Sequence, residues 1–564
     1  MPRRRVPKKT TPDGKIVLEP QPDDSPNDPL NWPLWRRNMA LVAIGLICTL
    51  GGGLTPVISA GFEDIAEAFH VPVPKVALTT GFFMMGLGLG GVVASPTAVL
   101  FGKRFVFLVG ATLMIATSIW CAISPSFGSL VAARIFEGMA TSPVEVLPSA
   151  AITELFFLHQ RAFRLGLYTL LLLTGKNLAP LLGAVINEKS GWRTVFWVVT
   201  AYATACLVLL FLFMGETYWD RRPRQIEVAK DMQRRSRTVS DLNVIEESTS
   251  NLAPSRNGGF HGVVEAYDQP GWVTNESKTH VEEVETTILS TWTNINDPIP
   301  IENQDYTERL RSHPRRTFIQ TLSPFTGRIN QDSWLKVALR PFILFSYPAI
   351  LWSSLVYSLS IGWLIVLSEA VGQIYENKET YHFTSLETGM VFLSPFIGAV
   401  LGSALAGKIS DTIVQILSKR NDGVYEPEFR LAMIPAVALA TSAGLYGFGW
   451  SVEVRDNPIV PTIFFGIISF GCALGSTTAI TYCVDSYRQY AGEALVTLNF
   501  SKNIFHGLVF SLFFPQWLQR SGSKKVFIAL GTIQMVCMAA SIPMYIYGKR
   551  ARFWTSQRSV MARF

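Results

Sequence analysis

Charged residues stand inside long apolar stretches of this chain at three places, and their spacing limits the chemistry open to it. One stretch carries Arg134, Glu137 and Glu145, a second carries Lys176 beside Asn177, and a third carries Asn499, Lys502, Asn503 and His506. A charge held away from water costs at least a few kcal/mol unless it is paired or faces a wet cavity. Arg134 and Glu137 stand three positions apart, the spacing of a local helical ion pair. Arg134 and Glu145 are eleven apart, about three turns, and so share a face. Glu145, deeper in its stretch, is the candidate for a carboxylate that exchanges protons or meets a substrate. Lys176 lies mid-stretch, too deep to snorkel well, and is expected to face a central cavity or to pair with Glu145. Asn499, Lys502, Asn503 and His506 recur at three- and four-residue spacing and form one polar stripe. His506 is either a proton relay or a hydrogen-bonded packing group. Other chemistry has no signature: there is no Gly-x-x-x-x-Gly-Lys-Ser/Thr phosphate loop, His-Glu-x-x-His or paired Cys-x-x-Cys. An ATP-driven pump and a metalloenzyme are therefore not expected, nor is any cofactor.

The elements that must position these residues are membrane helices. The 564 residues are 49% hydrophobic and only 16% charged, with a mean hydropathy of +0.27; soluble domains carry about a quarter charged residues. Two apolar blocks, each sufficient for six spans of roughly 20 residues, flank one polar stretch. The expected spans are 38–60, 76–98, 105–124, 128–150, 164–186 and 194–214, then 341–367, 387–408, 431–450, 459–484, 493–516 and 525–548. Residues 1–37 form an amino-terminal tail, 38–214 and 341–548 the two six-helix bundles, 215–340 a central loop expected to be largely disordered, and 549–564 a carboxyl-terminal tail. Within the loop, Thr317–Trp334 has the content of an amphipathic element. All six cysteines lie in or beside spans and read as small buried hydrophobes.

The net charge of +7 follows topology rather than a nucleic-acid surface. Lys103, Arg104, Arg161, Arg164, Lys419, Arg420, Arg430 and Arg488 fall in loops on one side. Glu63, Asp64, Glu67, Glu376, Glu379, Glu453 and Asp456 fall on the other, where the basic loop of Arg520, Lys524 and Lys525 is the exception. The excess of Lys and Arg predicts that both termini and the central loop are cytosolic. The sequon Asn275-Glu276-Ser277 would then stay unglycosylated.

Several strings resemble fungal members of the major facilitator superfamily, in the twelve-span drug:proton antiporter branch. They are Asp28-Pro29-Leu30-Asn31-Trp32-Pro33, Arg134-Ile135-Phe136-Glu137-Gly138, Gly191-Trp192-Arg193 and Gly215-Glu216-Thr217. Tyr482-Cys483-Val484-Asp485-Ser486-Tyr487-Arg488 and Ala491-Gly492-Glu493-Ala494-Leu495 are similar to a subgroup that includes polyamine and histidinol carriers. The resemblance implies an all-α membrane protein of twelve transmembrane helices in the major facilitator fold. It also implies a charge latch in the loop between spans two and three, with an acid at the position that Val99 occupies here. Lys103 and Arg104 of that loop remain, as does Asp411 in the equivalent loop of the second half; Asp485 at the end of span ten is a further gating candidate.

What the resemblance implies in function is secondary active transport, proton-coupled efflux of a small organic molecule such as a drug, toxin or secondary metabolite. The alternatives are proton-coupled uptake of an organic cation and a non-transporting receptor signalling through the loop. The expected partners are substrate, protons and the lipid bilayer, and a monomer is expected. The expected location is the plasma membrane, with a vacuolar or other internal membrane as the alternative.

Overall fold

The computed structural model describes residues 9–10, 18, 20–23, 25–219, 314–377, 380–421, 425–487 and 490–558. Most of the expected loop 215–340, the sequon at Asn275, Glu379, Arg488 and the last six residues lie outside the described residues. The chain divides into a small unit (residues 1–28 and 219–314) and a large one (29–218 and 315–564). In the small unit, Lys9 N donates to Gln21 Oε1 at 2.9 Å.

The large unit is helical, and its first half runs α1 (Leu34–Leu54), α2 (Phe62–Phe69), α3 (Val73–Phe101), α4 (Lys103–Ile123), α5 (Phe127–Val146), α6 (Pro148–Leu155), α7 (Leu158–Ser190) and α8 (Trp192–Phe213). A connecting strap carries α9 (Phe318–Thr321) and α10 (Trp334–Ile343). The second half runs α11 (Pro348–Tyr375), α12 (Ser385–Val391), α13 (Leu393–Arg420), α14 (Ile434–Val454), α15 (Ile459–Ser486) and α16 (Ala491–Ile504). It continues through a π turn (Phe505–Phe510), α17 (Ser511–Ser521), α18 (Ser523–Ala539) and α19 (Ser541–Arg558).

Among the described residues, ten helical segments are long and apolar enough to cross a membrane. The expected spans 128–150 and 493–516 are built from broken helices instead. α5 stops at Val146 because Pro148, which has no N–H to donate, opens α6 in its place. α16 runs into the π turn before α17. Elsewhere the boundaries shift both ways: α1 ends at Leu54, short of 60, α11 begins only at Pro348, and the spans 387–408 and 525–548 are interrupted at Phe392 and Ala540, whereas α3, α7 and α15 run past their expected ends. The 33 residues of α7 make roughly 50 Å at 1.5 Å per residue, longer than a bilayer core of about 30 Å.

Each half has its own apolar core, and Ile361 and Ile365 of α11 reach into that of the first half. Small residues set the helix spacing within each half. A Cβ on Gly86 would strike the Ile135 carbonyl, and one on Gly138 the Phe83 carbonyl, so α3 and α5 meet backbone to backbone. Gly175 allows α7 the same approach to Thr49 of α1, and Gly398 of α13 to Gly466 of α15.

The helices alternate in direction, which brings the two ends of the large unit to one side, here called proximal. At the distal end the halves press together. A Cβ on Gly372 would lie 2.6 Å from the Ser59 carbonyl, and one on Gly389 would lie 2.7 Å from Ala184 Cβ. Ser511 Oγ donates to Glu369 Oε1 at 2.9 Å, joining α17 to α11. Toward the proximal end, Gly166 of α7 and Gly407 of α13 have nothing within 4 Å of a Cβ.

Candidate functional site

Between the halves lies a cavity lined from α1, α3, α5, α7, α11 and α16, and Glu145, Lys176, Asn177 and Lys502 stand in its wall. Glu145 projects from α5, one residue before that helix ends. Lys502, its side chain only 1% exposed, is ion-paired through Nζ with Glu145 Oε1 across the junction of the two halves. Asn503 Nδ2 donates to Glu145 Oε2 at 2.8 Å. Both carboxylate oxygens are thus held from α16. The structure places Lys176 beside this pair rather than as its partner: its side chain lines the cavity, and the glutamate's oxygens are taken by Lys502 and Asn503. Asn177 also lines the cavity, with its amide donating to the Leu173 carbonyl at 3.0 Å.

The polar stripe of span eleven meets two different neighbours. Lys502 and Asn503 reach Glu145, while Asn499 accepts a hydrogen bond from the Tyr357 hydroxyl of α11 at 3.2 Å. His506, fully buried, sits at the entry to the π turn with Nε2 2.8 Å from the Ser358 carbonyl. Its ring occupies the space that a side chain at residue 362 would need, and only Gly362 leaves it.

Arg134 and Glu137 form the local pair that their spacing predicts, at 2.8 Å and with both side chains 0% exposed. Arg134 Nη2 donates to the Leu54 carbonyl at 2.9 Å, and the guanidinium lies over the Phe83 ring at 4.5 Å. Ser118 Oγ donates to Glu137 Oε1 at 2.8 Å. This cluster ties α5 to α1, α3 and α4, and neither charged residue lines the cavity.

The latch residues gather at the proximal end, each set within its own half. Val99 is 37% exposed, and the acid at the α3–α4 turn comes instead from Glu216, just beyond α8. Its Oε1 accepts from Lys103 N at 3.2 Å and its Oε2 from Arg104 N at 3.1 Å, so a carboxylate sits on the amino terminus of α4. Gly102 makes this possible through its φ of +93° and the lack of a Cβ that would strike Glu216. Lys103 Nζ pairs with Glu154 at 2.5 Å, and Thr217 Oγ1 donates to the same carboxylate at 2.7 Å. In the second half, Arg430 joins Asp485 at 2.5 Å and Asp411 at 3.5 Å. Tyr425 also donates to Asp485, at 2.5 Å, and burial pushes the Tyr425 hydroxyl up to about 12.

The strap packs on the same end of the first half. Arg104 Nη2 and Nε donate to the Leu322 and Ser323 carbonyls at 2.9 and 3.1 Å, and Ile329 N donates to the Leu100 carbonyl at 2.7 Å. Phe325 meets Phe101 and Phe105, with ring centroids 6.0 and 5.3 Å apart. Glu216 and Glu154 were not among the expected site residues; the acid directly after span six, in the Gly215-Glu216-Thr217 string, is the signal that points to the first.

Comparison with known proteins places this architecture. The family model described as "Major Facilitator Superfamily" matches residues 41–508. The MFS-type transporter C1271.10c of Schizosaccharomyces pombe is 26% identical, over 97% of this chain and 90% of the relative. Protein HOL1 of Saccharomyces cerevisiae is 25% identical, over 96% and 91%, and MFS antiporter QDR3 of Candida albicans 25%, over 97% and 82%. Among solved structures, the xylose transporter XylE from E. coli superposes with a TM-score of 0.57 at 14% identity, covering 91% of this chain and 98% of that one.

Proposed function

The chain belongs to the Major Facilitator Superfamily and is a multi-pass secondary transporter, and from that premise we propose that it exports a small organic molecule in exchange for protons. One observation carries this reading: a carboxylate of the first half, Glu145, is gripped by a lysine and an amide of the second half in the wall of the central cavity. A proton arriving on Glu145 cancels its charge and turns an ion pair into a far weaker contact. The halves can then part at mid-bundle, and loss of the proton rejoins them. Substrate and proton thus act on the same pair of states, which is what coupling requires.

The described arrangement, pressed together at the distal end, is read as the state facing the proximal side. Transition to the other state separates Gly372 from Ser59 and α12 from α7. Lys103, Arg104, Arg430 and Lys549 mark the proximal side as the cytosolic one by the positive-inside rule. The direction of transport follows the relative named an antiporter, and the plasma membrane is the proposed location.

The test is an untargeted comparison of metabolites inside and outside cells with and without the protein. An exporter leaves its substrate enriched inside cells that lack it; depletion inside those cells would reverse the direction. Transport that stays proton-coupled in both Glu145→Gln and Lys176→Ala would refute the site.

A further inference from the structure

The cavity between the halves holds one positive charge too many. Glu145 contributes one negative charge and Lys502 and Lys176 one positive charge each. The single carboxylate is spent on Lys502 and Asn503, which occupy both of its oxygens. Among the described residues Lys176 has no hydrogen-bond or ion-pair partner, and it is left facing the cavity. Its stem is wedged beside α1, where a Cβ on Gly52 would come within 3.4 Å of Lys176 Cγ, so it is not placed to reach a bilayer surface. A second donor faces the same space: the Thr80 hydroxyl, 2% exposed, lines the cavity and has no partner. The rest of the wall is largely apolar, from Met84, Leu87, Val144, Ile361 and Ile365.

An ammonium without an ion-pair contact of its own within a membrane is costly, and an unpaired buried hydroxyl adds its own penalty. One ligand can satisfy both: an anion whose charge meets the ammonium and whose acceptor atoms serve the hydroxyl on the same cavity wall. We infer that the transported molecule is an amphipathic organic monoanion, an apolar body bearing a carboxylate, whose charge is received by Lys176 with Thr80 as second donor. This rests on the reading of the cavity as the transport site. It also argues against an organic cation, which would enter a cavity already carrying a net positive charge and find its one carboxylate occupied.

The test uses the full chain purified into proteoliposomes and two matched probes, radiolabelled 4-phenylbutyrate and 4-phenylbutylamine, which share an apolar body and differ in charge. The butyrate is expected to raise the thermal midpoint and to move under a pH gradient faster than into protein-free liposomes, the amine to do neither beyond that passive background. In Lys176→Met the butyrate should bind about tenfold to a hundredfold more weakly, the worth of a charged hydrogen bond. Lys176→Arg should restore binding. Lys176→Met should also leave the ligand-free midpoint unchanged or higher, because it removes an uncompensated charge; a lowered midpoint would make Lys176 structural and overturn the assignment. If the amine moves instead and Glu145→Gln stops it, the substrate class is wrong while the transport reading stands. Movement of neither probe under either gradient direction overturns the assignment of class. The metabolite comparison then decides the transport reading separately.

Discussion

Replacing Glu145 by Gln should release the distal end of the bundle, and the size of the effect follows from the burial of its partner. Lys502 is 1% exposed and Glu145 13%. Breaking a buried pair by removing one member costs about 3–5 kcal/mol, and two unit charges 4 Å apart interact by about 4 kcal/mol at an effective dielectric near 20. The loss falls on the described state, in which the pair is closed, and spares a state in which the halves have parted. At about 1.4 kcal/mol per tenfold, the balance moves by roughly a hundredfold to a few thousandfold. Ser59 provides the reporter, being 2% exposed and covered by Gly372. A cysteine placed there should react slowly with a membrane-impermeant maleimide, and at least about a hundredfold faster when Glu145→Gln is added. Native background is low, since five of the six cysteines are buried and Cys537 is partly so. Acidification should speed labelling of the Ser59→Cys protein and leave the double variant unaffected. Equal rates with and without Glu145→Gln would show that the pair does not hold the halves, and the coupling argument would fail with it.

Glu376, just past the end of α11, has its carboxyl pushed up to about 9 by burial and then by Glu63 and Asp64. The folded chain therefore binds this proton more tightly than the unfolded chain, and stability is lost as pH rises from about 4.5 toward 9. The thermal midpoint in detergent should fall over that window, and Glu376→Gln should flatten the fall. Gly362→Ala would drive a methyl into the His506 ring; overpacking costs about 1–3 kcal/mol, a drop of roughly one to three degrees in the midpoint of a chain this long that adding His506→Ala should partly reverse. Deleting residues 225–310 should preserve membrane insertion and the pH response of cysteine labelling at residue 59, whereas a receptor that signals through the loop would lose its output.

Local charge patterns were readable in the chain, and long-range partnerships were not. Arg134 and Glu137 pair as their three-residue spacing dictates, because one turn of helix fixes their distance. The grip of Lys502 on Glu145 joins residues 357 positions apart, and no periodicity carries that information. Lys176 satisfied the same burial argument as a partner for Glu145, yet α16 reaches the carboxylate and α7 faces the cavity. The stripe from Asn499 to His506 was legible as one polar face, but not that its members divide between α11 and the first half. The acid expected near Val99 is the sharpest case. Its electrostatic role at the amino terminus of α4 is filled from beyond α8 by Glu216, and contiguous sequence does not show a group supplied from over a hundred residues away. Breaks at Pro148 and in the π turn were hidden because apolar composition records that a segment spans, not how its backbone is wound.

The strap has a mechanical meaning for the whole transporter. The chain leaves the first half beyond α8 and is fastened to that same half again through Leu322, Ser323 and Ile329. Everything between is a detour that begins and ends on one rocking body. The leash that joins the two bodies is thus the short helix α10 itself, whose Trp334 Nε1 donates to Thr97 of α3 at 3.2 Å and whose Pro341 carbonyl accepts from Thr497 of α16 at 2.8 Å. Lengthening or shortening the detour should leave the reach of one half relative to the other untouched. Inserting even a handful of residues into that short leash would slacken the hinge itself.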